Sequence, residues 1–251
     1  MTPRPVRTID DVISDLDGVV RTCHERGSRA GYFPALYRRV TVEVRDWIRE
    51  GRFDDGARME RLDVLFADRY LEAWQQRERG EPTSRSWGVA FDATEAWWPI
   101  VLQHLLLGIN AHINLDLGIA AARTAPGADI HGLGDDFRRI NNLLASMIDD
   151  VQKRLADVWP LLRLLDWLGG DADEATIHFS IERAREAAWA LAVRLSALPE
   201  AAWAHEIQTT DRLVATLGRV VRHPGPGLGT VLRGVRLGEL RSPEGVIELL
   251  S

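Results

Sequence analysis

Residues 103–118 read QHLLLGINAHINLDLG and set two imidazoles and a carboxylate into an otherwise apolar run. A helix turns about 100° per residue, so steps of four drift by only about 40° and build a slanted ridge. His104, Gly108, His112 and Asp116 form one such ridge, and Gln103, Asn110 and Asn114 form a polar stripe on another side. His112 and Asp116, at i and i+4, can offer an imidazole nitrogen and a carboxylate oxygen to one cation. Equally, the carboxylate can orient the ring as a base; where His112 binds metal, with Asp116 or Asp63, His104 is free to move protons. Gly108 permits close approach by a ligand or a neighbouring helix. The remaining positions are Leu, Ile and Ala, so this helix is expected to be central and buried with its polar groups paired. The competing reading is a polar network that only fixes helix packing.

Other residues complete the candidate set. Met59, Asp63, Phe66 and Tyr70 recur on one face of the helix around 57–78, and Asp63 is the odd member. An acid in that stripe requires a metal, a donor or a cation, the nearest cations in sequence terms being Arg58, Arg39 and Arg69. His24, in a Cys-His-Glu-Arg-Gly turn, is a further possible metal ligand beside His112, Asp116 and Asp63. Tyr37, Tyr70, Trp98, Asn110 and Asn114 are assigned to substrate contact. Arg183 and Arg185 read as surface or ion-pair residues. VISDLDGVV at 12–20 imitates an Asp-x-Asp-Gly phosphatase start with Asp15 and Asp17. Its lead-in reads as a capped amphipathic helix, however, and no strand series follows.

The elements that must position these groups are helices. Long Ala/Leu/Arg/Glu segments and the absence of period-2 alternation give an all-α fold, a single-domain multi-helix bundle around the central buried helix. Helices are predicted at about 8–20, 33–50, 57–78, 89–122, 134–168 with a kink at Pro160, 173–197, 200–221 and 243–250. Breaks fall at Gly27 and Gly31, Gly51 to Gly56, Gly80 and Pro82, Thr124–Gly134, and Gly169–Gly170. Residues 1–222 form the helical domain. Residues 223–251 are an extension packed on it, with 223–238 too weakly periodic to order as a helix.

Composition removes several classes of function. With 31 Lys+Arg against 37 Asp+Glu, the net charge is −6 and the pI about 5.7, which argues against nucleic acid. Cys23 stands alone, so neither an internal disulfide nor a thiolate zinc site is available. Met1 to Asp17 lacks the cationic and apolar pattern of an export signal, and the polar load of Trp97 to Ala122 opposes a membrane span. The expected location is the cytoplasm. Oligomeric state is left open.

Three segments carry a family resemblance. HLLLGINAHINLDLGIA at 104–120, GYFPALYRRVT at 31–41 and RMERLDVLFADRYL at 58–71 resemble a helical family of unknown function, DUF 5995, over about residues 20–200. That resemblance implies a helical fold and no particular activity. Gly108, His112 and Asp116 are also similar, more distantly, to the Gly-x-x-x-His-x-x-x-Asp helix of zinc-dependent phospholipase C and related helical phosphoesterases. Ala122 and Arg123 stand where that family commonly has a further histidine, and this chain begins Met1 where the family uses a tryptophan ligand. The similarity therefore implies at most a one- or two-metal site.

The functional expectation is an enzyme with a buried His/Asp site in an apolar helical cavity that takes a small, apolar molecule. In one form a divalent metal (Zn, Fe or Mn) assists hydrolysis. In another, the same groups act without metal as acid and base in an isomerase or cyclase. A non-catalytic small-molecule binding protein is the third reading.

Overall fold

The computed structural model describes residues 7–140, 143 and 181–251. Every regular element among them is helical. The first helix, α1 (Ile9–Glu25), starts where Thr8 and Asp11 cap one another: Asp11 N–H donates to Thr8 Oγ1 at 3.3 Å, and Thr8 N–H donates to the Asp11 carboxylate at 2.8 Å. Its buried face is Ile9, Val12, Ile13, Leu16, Val19 and Cys23. Asp15 and Asp17 lie outside that face, paired with Arg7 and Arg38, so the two acids of the phosphatase-like string sit on the solvent-facing side of a helix. Gly27, at φ +58°, turns the chain into a short 3₁₀ segment and α2 (Tyr32–Arg49). Helix α3 (Gly56–Glu78) is capped by Asp55, which accepts from Arg58 N–H at 2.9 Å.

The sequence reading takes 89–122 as one helix, and the structure divides it. Helix α4 (Arg85–Thr94) begins at Ser84. Its first amides, Arg85 and Ser86 N–H, donate to the Asp211 carboxylate at 2.8 and 2.9 Å. The chain then leaves the helix before Pro99, whose ring bars the preceding residue from helical backbone. The central rod starts at Val101 as α5 (Val101–Ala111), passes through a π turn (His112–Leu117) and ends as α6 (Gly118–Thr124). The rod is long and apolar enough to cross a membrane, yet 89% of its most apolar window is buried by the rest of the fold. It is a core helix.

After the rod, α7 covers 130–140, α8 is Ile181–Ser196, and α9 is Trp203–Arg222. The expected kink at Pro160, the stop at Gly169–Gly170 and the helix start at 173 lie outside the described residues. The segment expected to lack helical order is α10 (Pro226–Gly238), begun by Pro226 and seating Leu232 and Val235 in the main core. Leu228, Leu232 and Val235, at i, i+4 and i+7, supply the one-sided apolar stripe that the Gly/Pro-rich start obscures. The last helix, α11 (Pro243–Leu250), buries Val246, Ile247 and Leu250 in that core.

Two glycines let the rod sit close to its neighbours. A Cβ at Gly118 would meet Ala188 O of α8 at 2.7 Å, and one at Gly108 would meet the Phe33 ring at 2.4 Å. Phe33 is hemmed in by Tyr37, Tyr70, Trp87 and His112, so it has nowhere to yield. Gly108→Ala is expected to destabilise by about 1–3 kcal/mol, the overpacking cost outweighing the gain of about 1 kcal/mol in helix propensity. Gly18→Ala, with nothing within 4 Å of the added Cβ, is the control that gains stability. Urea unfolding of both variants is the check.

Candidate functional site

Three helices converge on His112. Helix α2 brings Phe33 and Tyr37, one turn apart. Helix α3 brings Asp63, Phe66, Arg69 and Tyr70, and α4 brings Trp87. The imidazole, 2% exposed, stacks on Phe66 with ring centroids 3.6 Å apart and planes at 7°, while Tyr37 meets it edge-on at 4.5 Å. A flat ring held on two sides in this way has one orientation.

That orientation directs Nδ1 at Asp116. Asp116 has no exposed surface and accepts three hydrogen bonds: Trp87 Nε1 at 2.8 Å, Arg69 Nε at 3.0 Å and His112 Nδ1 at 3.3 Å. Because the carboxylate of an ion pair accepts only, the His112 proton lies on Nδ1 and the lone pair on Nε2. Nε2 is buried and has no hydrogen-bond partner among the described residues. Burial holds the His112 pKa below the usual imidazole value, with Asp116 pulling upward against it and the Arg69 charge adding to the fall. The ring is thus a neutral, oriented base at pH 7. Phe66, which stacks on the base, stood in the apolar stripe of the sequence reading without a role; Arg69 appeared there only as a partner for Asp63, and Trp87 did not appear.

His112 lines an apolar cavity of about 70 Å³ together with Phe33, Tyr37, Met59, Leu62, Asp63, Phe66, Ile113 and Arg185. Two of the cations named for Asp63 are engaged elsewhere: Arg58 pairs with Asp55 and Asp136, and Arg69 with Asp116. Asp63 Oδ2 is buried without a hydrogen-bond partner among the described residues, and burial, with a smaller push from Glu60, raises its pKa to about 8. At neutral pH it is a carboxylic acid, able to donate. The Tyr37 hydroxyl is likewise buried and unpartnered. Its pKa stands well above the ordinary phenol value through burial first and the Asp63 charge second. Arg185, expected to be a surface or ion-pair residue, is 2% exposed. It donates to Phe137 O at 2.7 Å and lies over the Phe137 ring, and burial brings its pKa down to about 9.

The remaining candidates sit elsewhere. His104 is buried on the far side of Phe33, with both ring nitrogens unpartnered, its pKa held to about 3 by burial and then by the Arg29 charge. With Tyr70, whose hydroxyl is also buried and unpartnered, it lines a separate cavity of about 20 Å³, room for one water. Asn110 and Asn114 do not reach the larger cavity. Asn110 Nδ2 donates to Val214 O at 2.9 Å, and Asn114 Nδ2 to Asn110 Oδ1 at 3.1 Å. Gln103 Nε2 similarly donates to Val221 O at 2.7 Å, so this stripe clamps the rod to α9. Trp98 is 55% exposed on another face. His24 lies at the surface, bonded to Glu248 at 3.1 Å.

The four expected metal ligands therefore do not assemble. Among the described residues no three His, Cys, Asp or Glu side chains come together as a metal site. Both Asp116 oxygens are taken by donors, one of them cationic, and an oxygen in an ion pair with Arg69 is poorly placed to ligate a divalent ion. Of the four, His112 and Asp63 line the cavity, and an unpartnered imidazole nitrogen with an unpartnered carboxyl suits proton transfer better than coordination.

Fold and site define a class: an all-helical protein whose central rod carries an oriented His–Asp couple on an apolar cavity. The chain belongs to the family of unknown function DUF5995, whose model matches residues 9–224. No curated protein and no solved structure matches it.

Proposed function

We propose that the protein is a metal-independent acid–base enzyme acting on a small, largely apolar carbonyl compound. One observation carries the reading: a base, His112 Nε2, and a neutral acid, Asp63, line the same apolar cavity without a hydrogen-bond partner among the described residues. His112 takes a proton from the carbon beside the carbonyl, and the imidazolium that forms is stabilised by Asp116 across the bond at Nδ1. Asp63 gives its proton to the carbonyl oxygen as the enol forms, with Arg185 a fixed positive charge on the cavity wall. With a β,γ-unsaturated carbonyl compound the enol is a conjugated dienol, so return of the His112 proton to its γ-carbon, as Asp63 recovers its own from the oxygen, shifts the double bond and completes an isomerisation in which no atom is gained or lost. The low dielectric of the cavity strengthens each of these interactions.

Cavity size limits the substrate. At about 70 Å³ the space is roughly half that of a cavity which admits benzene, about 150 Å³, so it takes a few heavy atoms or the tip of a longer chain. The test is exchange of α-hydrogens of acetone and butanone for deuterium in D₂O, followed by proton NMR. The protein is expected to accelerate exchange over buffer, and His112→Ala to remove about 10²-fold or more of that acceleration. Exchange no faster than buffer, or unchanged in His112→Ala, contradicts the proposal.

A further inference from the structure

A second face of the molecule carries groups that neither the core nor the His112 site uses. Trp97 and Trp98 are 47% and 55% exposed and touch edge to face at 4.8 Å. Helix α10 holds them there. Arg236 Nε donates to Trp97 O at 2.7 Å with its guanidinium 4.9 Å from the Trp97 ring, and the Arg233 guanidinium lies 5.2 Å from the Trp98 ring. Leu237, one turn on from Arg233 along the same side of α10, is 67% exposed, and Leu240 just beyond the helix is 89% exposed. Two exposed tryptophans pinned by arginine, with two exposed leucines on and just beyond the same helix, have the make-up of a docking surface.

The charge of this face identifies what docks. Beside Trp98 lies a pocket of about 210 Å³ whose polar lining includes Arg222, His223, Arg233 and Gln103. Among the described residues no carboxylate lies within ion-pair distance of Arg222, Arg233 or the exposed Arg241, although the chain as a whole is acidic at −6. Arg222 Nε is buried with no hydrogen-bond partner among the described residues, while its Nη2 donates to Asp92 O at 3.4 Å. A second copy is a poor occupant, since a two-fold contact through this patch would bring the uncompensated arginines against themselves. Tryptophan, leucine and arginine side by side match the headgroup layer of a bilayer, where indoles settle at the interface and arginines meet phosphate.

We propose that this face docks the protein onto bilayers containing acidic phospholipids, with Trp97, Trp98, Leu237 and Leu240 entering the headgroup layer and the pocket at Arg222 and Arg233 receiving a phosphodiester. This is peripheral binding, distinct from a membrane span.

The test is flotation of the full chain with vesicles of phosphatidylcholine alone and of phosphatidylcholine mixed with phosphatidylglycerol. Binding is expected only to the mixed vesicles, weakening as salt rises. Arg233→Gln is expected to lower the partition coefficient about fivefold, whereas Arg233→Lys retains most of it. Trp98→Ala and Leu240→Ser, both at exposed positions, weaken binding with unchanged circular dichroism. Titration calorimetry with inorganic phosphate separates the sources: heat lost in Arg233→Gln, without vesicle binding, makes the pocket a site for a soluble anion and overturns the membrane assignment. The assignment also fails if vesicle binding is indifferent to all these variants, or if the face instead mediates concentration-dependent self-association that Leu240→Ser abolishes.

Discussion

Replacing Asp63 by leucine is expected to stabilise the protein by about 3–5 kcal/mol at pH 8 and to have little such effect at pH 4. In the fold, burial keeps this carboxyl protonated up to about 8. In the unfolded chain it loses its proton near 4. The folded pKa is thus the higher one, so the stability contributed by the neutral acid is fully present below about pH 4 and is lost as pH rises through 8. About four pH units at about 1.4 kcal/mol each set the upper end of the range. Leucine removes the titration, and the adjoining cavity of about 70 Å³ absorbs its extra volume. Urea unfolding at pH 4, 6 and 8 reads the effect as a difference between variant and parent that grows with pH; a constant difference sinks it. A group that lowers stability at neutral pH while facing a cavity is better explained by proton transfer than by packing.

Arg69→Met is expected to cost about 3–5 kcal/mol, because it strips a carboxylate with no exposed surface of the one arginine or lysine within ion-pair distance among the described residues. Trp87 and His112 continue to donate, but two hydrogen bonds do not replace a charge. With Arg69 gone, His112 becomes the nearest group able to supply one, so its pKa is expected to rise. Asp116→Asn in the same chain removes the orphaned charge, and the double variant is expected to lose at least about 2 kcal/mol less than the two single losses added together. Strict additivity in the denaturation data would falsify the claim that Arg69 acts through Asp116.

Much of the architecture was legible in local chemistry. Thr8 with Asp11, Gly27 with its positive φ, and the apolar run around His112 each announce their structure within a few residues. The division between α4 and α5 is marked locally by Pro99, through which the sequence reading ran one helix, whereas the α4 start at Ser84 relies on Asp211, more than a hundred residues away. The π turn at His112–Leu117 carries no local mark, so a uniform 100° step misplaces the polar stripes relative to the cavity. The His112–Asp116 pair was readable from its spacing, whereas Arg69 and Trp87 reach Asp116 from other helices. Asn110 and Asn114 misled for a physical reason: in a buried rod an amide satisfies a neighbouring helix's carbonyl as well as it would a ligand. Arg185 looked like a surface or ion-pair residue because nothing in its own helix reveals that Phe137 covers it.

The central claim is that a neutral acid and a neutral, oriented base share one cavity. It is tested most directly by a single pH titration of protein labelled with ¹³C at aspartate and ¹⁵N at histidine. The account requires the Asp63 carboxyl to remain protonated through neutrality, with a midpoint of about 8, and His112 to stay neutral with its proton on Nδ1 at pH 7. An Asp63 midpoint near 4, together with a His112 ring that protonates at the ordinary imidazole value, would contradict it.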